Sequence, residues 1–155
     1  MSADFLQRHD RAAQVLGVVS LVNGKKQLEL DNEALVAKLI TAWEAKDLDG
    51  IKSTLHDDVV YQMFEGADDI VGVDEVCAVF KPIIEGPGTI EWDLLRSHAV
   101  GSLVMNERVD KFLGISDGKG GTRDMQAPVA GVFYLRDGKI AEWRDYTIPE
   151  SQAHS

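Results

Sequence analysis

The sequence predicts a single α+β domain in which helices come first and a run of antiparallel strands follows. Apolar residues recur at helical spacing through the first half of the chain, whereas from Thr89 onward the period changes to two. The length of 155 residues also matches one domain. Helices packed across a curled sheet leave a cone with one open mouth, and the inside of that cone is the expected site for a small ligand.

Two helices are predicted in the first third of the chain. The first covers 4–22, and the polar stretch 22–32 is expected to connect it to the second. Asp31 or Asn32 is the predicted N-cap of that second helix, which covers 32–47. One face of it carries Leu35, Val36, Leu39, Ile40 and Trp43. The single domain over 1–155 thus divides into 1–30 (helix and connector), 31–147 (core) and 148–155 (tail).

The rest of the chain predicts two more helices and the sheet. A short helix is expected over 47–57, a strand over 58–64, and then a helix with Asp74 as its N-cap. Strands are predicted in the segments 89–101, 102–115 and 125–148. The Asp-Gly pair inside Arg136–Lys139 separates two apolar runs, which predicts a tight hairpin.

Composition excludes several functional classes. The formal net charge of −10 argues against nucleic-acid binding and against a basic membrane-binding patch. No apolar stretch is long enough to span a membrane, and the N-terminus lacks the pattern of a secretion signal, so a cytoplasmic location is expected. Cys77 is the single cysteine, which excludes an internal disulfide and a multi-cysteine metal site. No zinc-binding histidine spacing occurs, so no metal is expected.

Strand alternation places several polar residues on common faces. One face of the strand "LVMNERVDKFL" carries Val104, Asn106, Arg108, Asp110 and Phe112. Ala141, Trp143 and Asp145 share a face of another strand, and Val59, Tyr61 and Met63 share a face of a third. If all three faces turn inward, two carboxylates, an arginine and a tyrosine converge in an apolar setting.

Such a cluster is suited to acid–base chemistry. Near one guanidinium, one carboxylate can stay ionised as a base while the other keeps a proton as an acid. The arginine cannot lose its proton, so it orients both carboxylates and balances their charge. Spacing alone instead favours "ERVDK" and "EWRDY" as exposed, ion-paired strand faces. Trp43 and Trp92 are expected in the core. Trp143 is expected in the pocket, because its predicted strand face is that of Asp145.

The strands "NERVDKF" (106–112) and "PVAGVFYLRDGKIAEWRDY" (128–146) resemble the signature strands of the limonene epoxide hydrolases, and "VVYQ" (59–62) resembles their tyrosine-bearing strand. The preceding helices resemble the wider superfamily that includes ketosteroid isomerase, scytalone dehydratase and nuclear transport factor two. The resemblance covers about residues 31–147. It implies a curved mixed sheet, a deep apolar pocket and a homodimer.

The resemblance also implies a mechanism, in which water opens an apolar epoxide in one step to a vicinal diol without metal or organic cofactor. Asp145 would be the general base, Asp110 the general acid, Arg108 the bridge between them, and Tyr61 a ligand of the attacking water. Met63, Asn106, Phe112 and Trp143 would line the substrate pocket.

Met63 departs from the family pattern, which usually has a water-binding asparagine at this position. A thioether donates no hydrogen bond and accepts only weakly. Three outcomes are open: Asn106 replaces the missing asparagine, the enzyme is slower, or a substrate hydroxyl replaces water as in a cyclase. An isomerase or dehydratase on the same fold, and a module that binds apolar ligands without catalysis, are the alternative functions.

Overall fold

The computed structural model describes residues 26–147, which form a six-stranded curved sheet with helices packed on one face. The α+β prediction is confirmed. The predicted helix over 4–22 and the tail 148–155 lie outside the described residues. Within 26–147, no helix has the length and apolar character needed to cross a membrane.

Three helices are present in the described part of the chain. Helix α1 covers 26–44, α2 covers Leu48–Thr54 and α3 covers Val73–Glu85. Helix α2 begins at the Asp47 cap, whose side chain accepts a hydrogen bond from the Gly50 amide. The predicted helical segments therefore form, with shorter bounds for α2.

Two details of the predicted helices are wrong. Residues 26–32 are helical, so the predicted connector and the domain boundary after residue 30 fall inside α1. The strong helix formers Lys26 and Gln27 continue the helix upstream. Asn32 is therefore no cap; it is buried and donates a hydrogen bond to the Gly101 carbonyl at 2.9 Å.

Helix α3 also begins differently from the prediction. Its N-cap is Gly72, which has φ of 97° and no side chain to cap the helix. Asp74 lies in the first turn instead, where a negative charge interacts favourably with the helix dipole. The positive φ explains why glycine rather than aspartate occupies the cap.

Six strands make one mixed sheet. They are β1 (Leu55–Gln62), β2 (Ile70–Val71), β3 (Thr89–Val100), β4 (Leu103–Ser116), β5 (Thr122–Arg136) and β6 (Lys139–Tyr146). The order across the sheet is β2-β1-β6-β5-β4-β3. Strands β1 and β6 are parallel and the other neighbours antiparallel. The sheet is therefore mixed, as the family resemblance implies.

The β5–β6 hairpin forms at the predicted Asp-Gly turn. Asp137 and Gly138 both have positive φ, 54° and 70°, as a tight two-residue hairpin requires. This turn sets the register of the first pairs, such as Leu135 with Ile140, and an irregularity between Tyr134 and Leu135 then shifts the pairing by one residue. Gly131 of β5 therefore pairs with Asp145 of β6. The turn and this irregularity together set the depth at which Asp145 enters the domain.

Helix α1 closes the β3 edge of the sheet with its acidic side chains. The Glu44 carboxylate accepts a hydrogen bond from the Trp92 amide, Glu33 accepts one from Ala99, and Glu29 accepts one from Gly101. Two amides of the edge strand β3, those of Trp92 and Ala99, are thereby satisfied. The same contacts hold α1 against the sheet, so that Trp43 lies over its inner face within the apolar core.

Candidate active site

Strand β4 separates its polar residues by face, as the alternation predicts. Asn106, Arg108 and Asp110 are buried, whereas Met105 and Glu107 are exposed. The inner residues lie between Val104 and Phe112 of the core. The interpretation of "NERVDK" as a fully exposed, ion-paired strand is therefore excluded.

Arg108 is the centre of the buried cluster. Its guanidinium donates to both Asp110 carboxylate oxygens, from Nε at 2.7 Å and from Nη2 at 3.2 Å. The same Nη2 lies 3.0 Å from both carboxylate oxygens of Asp145, which comes from strand β6. Nη1 donates to the side-chain oxygen of Asn106 at 3.0 Å. One side chain with no exposed surface thus joins two carboxylates that are far apart in sequence.

Two tryptophans complete the surroundings of this cluster. The Trp143 indole N–H donates to Asp145 Oδ1 at 2.8 Å, so Asp145 accepts from two different side chains. The Arg108 guanidinium carbon lies over the Trp92 ring, 4.5 Å from the ring centroid. Trp92 is opposite Asp110 in the pairing of β3 and β4, which puts its ring next to the cluster.

Both carboxylates line one mostly apolar cavity of about 260 Å³. Its remaining polar side chains are Tyr61 and Thr147. The apolar walls come from Trp43, Met63, Phe64, Val79, Phe80, Ile83, Trp92, Phe112, Met125, Ala127 and Val129. A cavity near the lower end of the usual range for small-molecule sites suits an uncharged ligand of modest size.

Burial controls the protonation of the two carboxylates. Burial raises the pKa of Asp110 to about 6, although the Arg108 charge and hydrogen bonds pull it down. Burial also raises the pKa of Asp145, against the opposing effects of Arg108 and of the Trp143 hydrogen bond. One guanidinium cannot fully offset the cost of burying two negative charges, so both carboxyl groups bind a proton at higher pH than an exposed aspartate would.

Tyr61 reaches the cavity from strand β1. Its ring lies 4.5 Å from that of Trp143, and the side chain is buried. Burial and the neighbouring Asp145 raise the pKa of the Tyr61 phenol well above its ordinary value. The phenol therefore keeps its proton and remains a hydrogen-bond donor.

The predicted pocket residues divide into two groups. Phe112 and Met63 line the cavity, although β1 ends at Gln62 and Met63 follows it. Asn106 and Trp143 do not line the cavity, which corrects that prediction. Asn106 accepts a hydrogen bond from Arg108, and Trp143 donates one to Asp145. Alternation gives the face of a residue but not its depth. Asn106 therefore does not replace the missing asparagine on the cavity wall.

Neither the contact between Trp92 and Arg108 nor the aromatic lining from helix α3 was predicted from the sequence. Trp43 and Trp92 are core residues as expected, but their stacked rings also form part of the cavity wall. Phe80 of α3 lies 5.1 Å from Tyr61, ring to ring, on the same wall. The pairing of Trp92 with Asp110 depends on strand register, which has no local signature in the sequence.

Comparison with known proteins identifies the family of this chain. The Limonene-1,2-epoxide hydrolase catalytic domain matches the chain over residues 30–148. The chain belongs to the limonene-1,2-epoxide hydrolase family. Epoxide hydrolase EphG from Mycobacterium tuberculosis is 31% identical over 111 residues, which cover 72% of this chain and 69% of EphG. The family resemblance of strands β4 and β6 is thereby confirmed.

Solved structures support the same family and the fold. An LEH-like epoxide hydrolase from M. tuberculosis superposes with a TM-score of 0.67 at 28% identity, covering 77% of this chain and 84% of that one. A protein described as a SnoaL-like polyketide cyclase from Jannaschia sp. CCS1 gives 0.66 at 19% identity, covering 77% and 87%. The second likeness concerns the fold alone. Within residues 26–147, no three His, Cys, Asp or Glu side chains gather as a metal site.

Proposed function

We propose that this member of the limonene-1,2-epoxide hydrolase family adds water to a small or medium apolar epoxide and forms a vicinal diol in one step. The observation that carries the proposal is that Arg108 Nη2 contacts Asp110 and Asp145 together, while both carboxylates line one apolar cavity. Opening an epoxide requires an acid at its oxygen and a nucleophile at its carbon. The two carboxylates offer a proton donor and a proton acceptor in one cavity.

Asp145 is the proposed general base. It accepts hydrogen bonds from the Trp143 indole and from Arg108, and donors of this kind favour its ionised form. Its free lone pairs take a proton from water as the water oxygen bonds to an epoxide carbon. Tyr61 lies on the same wall with its phenol protonated and serves as a second ligand of that water.

Asp110 is the proposed general acid. With a pKa of about 6, its carboxyl group keeps a proton near neutral pH more readily than an exposed aspartate does. This proton goes to the epoxide oxygen as the carbon–oxygen bond breaks, so no free alkoxide forms. After one turnover Asp145 holds a proton and Asp110 has lost one. Transfer of a proton between the two Arg108-linked carboxylates restores the starting state.

An assay of diol formation tests the activity. The purified chain is incubated with a terpene epoxide, a cyclic meso epoxide and an aromatic epoxide, and diols are quantified by chromatography. We expect diol from at least one of them. The absence of diol from a panel that fills the cavity, with a folded protein, contradicts the proposal.

A single turnover in ¹⁸O-water tests the one-step route. With enzyme in excess over epoxide, direct attack by water puts the label into the first diol formed. Attack by a carboxylate would instead deliver an unlabelled protein oxygen to the diol in that first turnover. Label in the protein with an unlabelled diol therefore overturns the one-step mechanism while leaving the hydrolase activity intact.

Met63 favours one second candidate, an epoxide-opening cyclase. It places apolar surface on the cavity wall where another polar ligand of the water would bind, and Asn106 does not compensate. A substrate with its own hydroxyl would then supply the nucleophile. Ring closure of hydroxy-epoxides without diol formation from simple epoxides would establish this alternative.

A further inference from the structure

Gly131 lies on strand β5 between the two strands that carry the catalytic carboxylates. The order of these strands is β6-β5-β4. Gly131 pairs with Asn106 of β4 on one side and with Asp145 of β6 on the other. To reach Asp145 from β4, the side chain of Arg108 must therefore cross β5 beside Gly131.

A glycine at this position is unusual for its surroundings. The inward positions before and after it carry the buried side chains of Val129 and Phe133. Glycine in the interior of a strand loses stability and contributes no packing. Gly131 is not among the glycines with positive φ, so its backbone conformation does not require glycine. The reason for it lies in the space above its Cα.

The Arg108 guanidinium occupies that space. A Cβ atom at residue 131 would lie 2.4 Å from Arg108 Nη1, 2.7 Å from Asn106 Oδ1 and 2.8 Å from Phe133 Cε2. Each of these separations is shorter than a van der Waals contact. Any side chain at this position therefore displaces the guanidinium or the groups around it.

Arg108 is held on its other sides as well. The Trp92 ring contacts the guanidinium at 4.5 Å, and Asn106 Oδ1 accepts a hydrogen bond from Nη1. The side chain has no exposed surface, so no solvent space is available for it to shift into. A group inserted at residue 131 must then move Arg108 relative to the two carboxylates.

We propose that Gly131 is a positioning residue of the active site, because its missing side chain gives Arg108 the path across strand β5 to Asp145. Through Arg108, it sets the relative placement of the acid and the base. The consequence for catalysis rests on the proposed function, whereas the consequence for the two carboxylates does not.

Gly131→Ala tests this proposal by the titration of Asp110 and Asp145. Arg108 lowers the pKa of both carboxyl groups through its charge and hydrogen bonds. Moving the guanidinium away therefore raises both pKa values relative to wild type. The measurement is ¹³C NMR of the labelled aspartate carboxyl carbons across pH, and it requires no substrate.

The catalytic readout is the pH profile of diol formation. Misplacement of reacting groups by about 1 Å costs on the order of a hundredfold in rate, and we expect kcat to fall by about that factor. The whole pH profile should also move to higher pH, because the pKa values of both the base and the acid are raised.

Ile140→Val is the matched control, since it truncates a buried side chain on β6 near the hairpin, where Ile140 pairs with Leu135. It lowers stability without touching Arg108. Its carboxyl titration and the shape of its pH profile should match those of wild type.

The outcomes separate this proposal from the proposed function. Wild-type titration of both aspartates in folded Gly131→Ala overturns the positioning role, whatever the activity. If wild type forms no diol but Gly131→Ala raises the pKa values of both aspartates, the proposed hydrolase function is wrong and the positioning role of Gly131 stands. If Gly131→Ala does not fold, the double variant Gly131→Ala/Arg108→Lys decides. It should be more stable than Gly131→Ala, because lysine lacks the Nη1 atom that the new Cβ approaches most closely, and a double variant as unfolded as Gly131→Ala overturns the proposal.

Discussion

Two arginines of this chain each hold a pair of carboxylates, and the sheet separates them. Arg108 on the inner face of β4 binds Asp110 and Asp145. Arg144 on the outer face of β6 binds Glu142 and Asp69. The Arg108 side chain has no exposed surface, whereas 26% of the Arg144 side chain is exposed. The chemical groups are nearly the same, and the surroundings differ.

The difference shows what burial adds to an arginine–carboxylate cluster. Water and salt screen the Arg144 cluster, so its ion pairs contribute little to stability. Around Arg108 the carboxyl groups are desolvated, and the pKa of Asp110 rises to about 6. Asp110 of the buried cluster therefore keeps its proton to higher pH than an ordinary aspartate does. The Arg144 cluster supplies matched controls for tests of the Arg108 cluster.

The largest expected effect comes from the proposed base. Asp145→Asn keeps the shape of the side chain but removes its ability to accept a proton from water. Loss of general base catalysis should lower diol formation by about 10²–10⁴-fold while the protein remains folded. Glu142→Gln, the equivalent change in the outer cluster, should leave the rate unchanged. Near-wild-type activity in Asp145→Asn would remove this residue from the mechanism.

Arg108→Met compared with Arg144→Met tests the stability contribution of each cluster. Removing Arg108 leaves buried carboxylates without a partner, which typically costs about 3–5 kcal/mol. The exposed ion pairs of Arg144 are worth about 0–1 kcal/mol. Urea unfolding of both variants gives the two free energies. Equal losses for the two variants would mean that burial does not distinguish the clusters.

Asp110→Asn should change how stability depends on pH. The folded-state pKa of about 6 lies above the ordinary 3.8. Protonated Asp110 therefore stabilises the fold below about pH 4, and this contribution is lost as the pH rises through about 6. The gap corresponds to about 3 kcal/mol at most.

Because asparagine does not titrate, the stability of Asp110→Asn relative to wild type should increase between pH 4 and pH 7. Urea unfolding across this pH range measures the change. Asp69→Asn in the outer cluster is the control for the loss of an arginine-bound carboxylate. A constant difference between Asp110→Asn and wild type would show that Asp110 has an ordinary pKa in the folded protein.

Tyr61→Phe removes one proposed ligand of the attacking water. Loss of a neutral hydrogen bond costs about 1 kcal/mol, or about fivefold in rate. The effect should be at least this large, because Met63 provides no further ligand on the same wall. Tyr134→Phe is the control, since Tyr134 is an exposed residue of β5. Initial rates on one small and one bulky epoxide give the comparison, and equal rates for Tyr61→Phe and wild type would place the water elsewhere.

Met63→Asn is expected to have the smallest effect on rate. The amide adds a ligand for the water, so diol formation from a small epoxide should stay equal or rise. The loss of apolar surface should weaken binding of a bulky epoxide, seen as a higher KM. A lower kcat on the small epoxide would show that Met63 does more than line the cavity.

Local patterns in the sequence determined much of this protein. The switch from helical to alternating periodicity predicts the α+β class, and the Asp137–Gly138 pair predicts the hairpin with the positive φ values it needs. Alternation along β4 and β6 places Arg108, Asp110 and Asp145 on inward faces, because side chains in a strand alternate between faces. These features are set by residues close together in sequence, so they can be predicted without the tertiary structure.

The tertiary structure decided what depends on register and depth. Asn32 lies inside helix α1 and donates to the Gly101 carbonyl of a distant turn instead of capping the helix. Asn106 and Trp143 lie behind the carboxylates because strand pairing sets how far each side chain is from the cavity. The raised pKa of Asp110 and the need for glycine at residue 131, beside the Arg108 guanidinium, arise only when β4, β5 and β6 are assembled. Desolvation and steric contact depend on residues that are distant in sequence, so they cannot be predicted from any single segment.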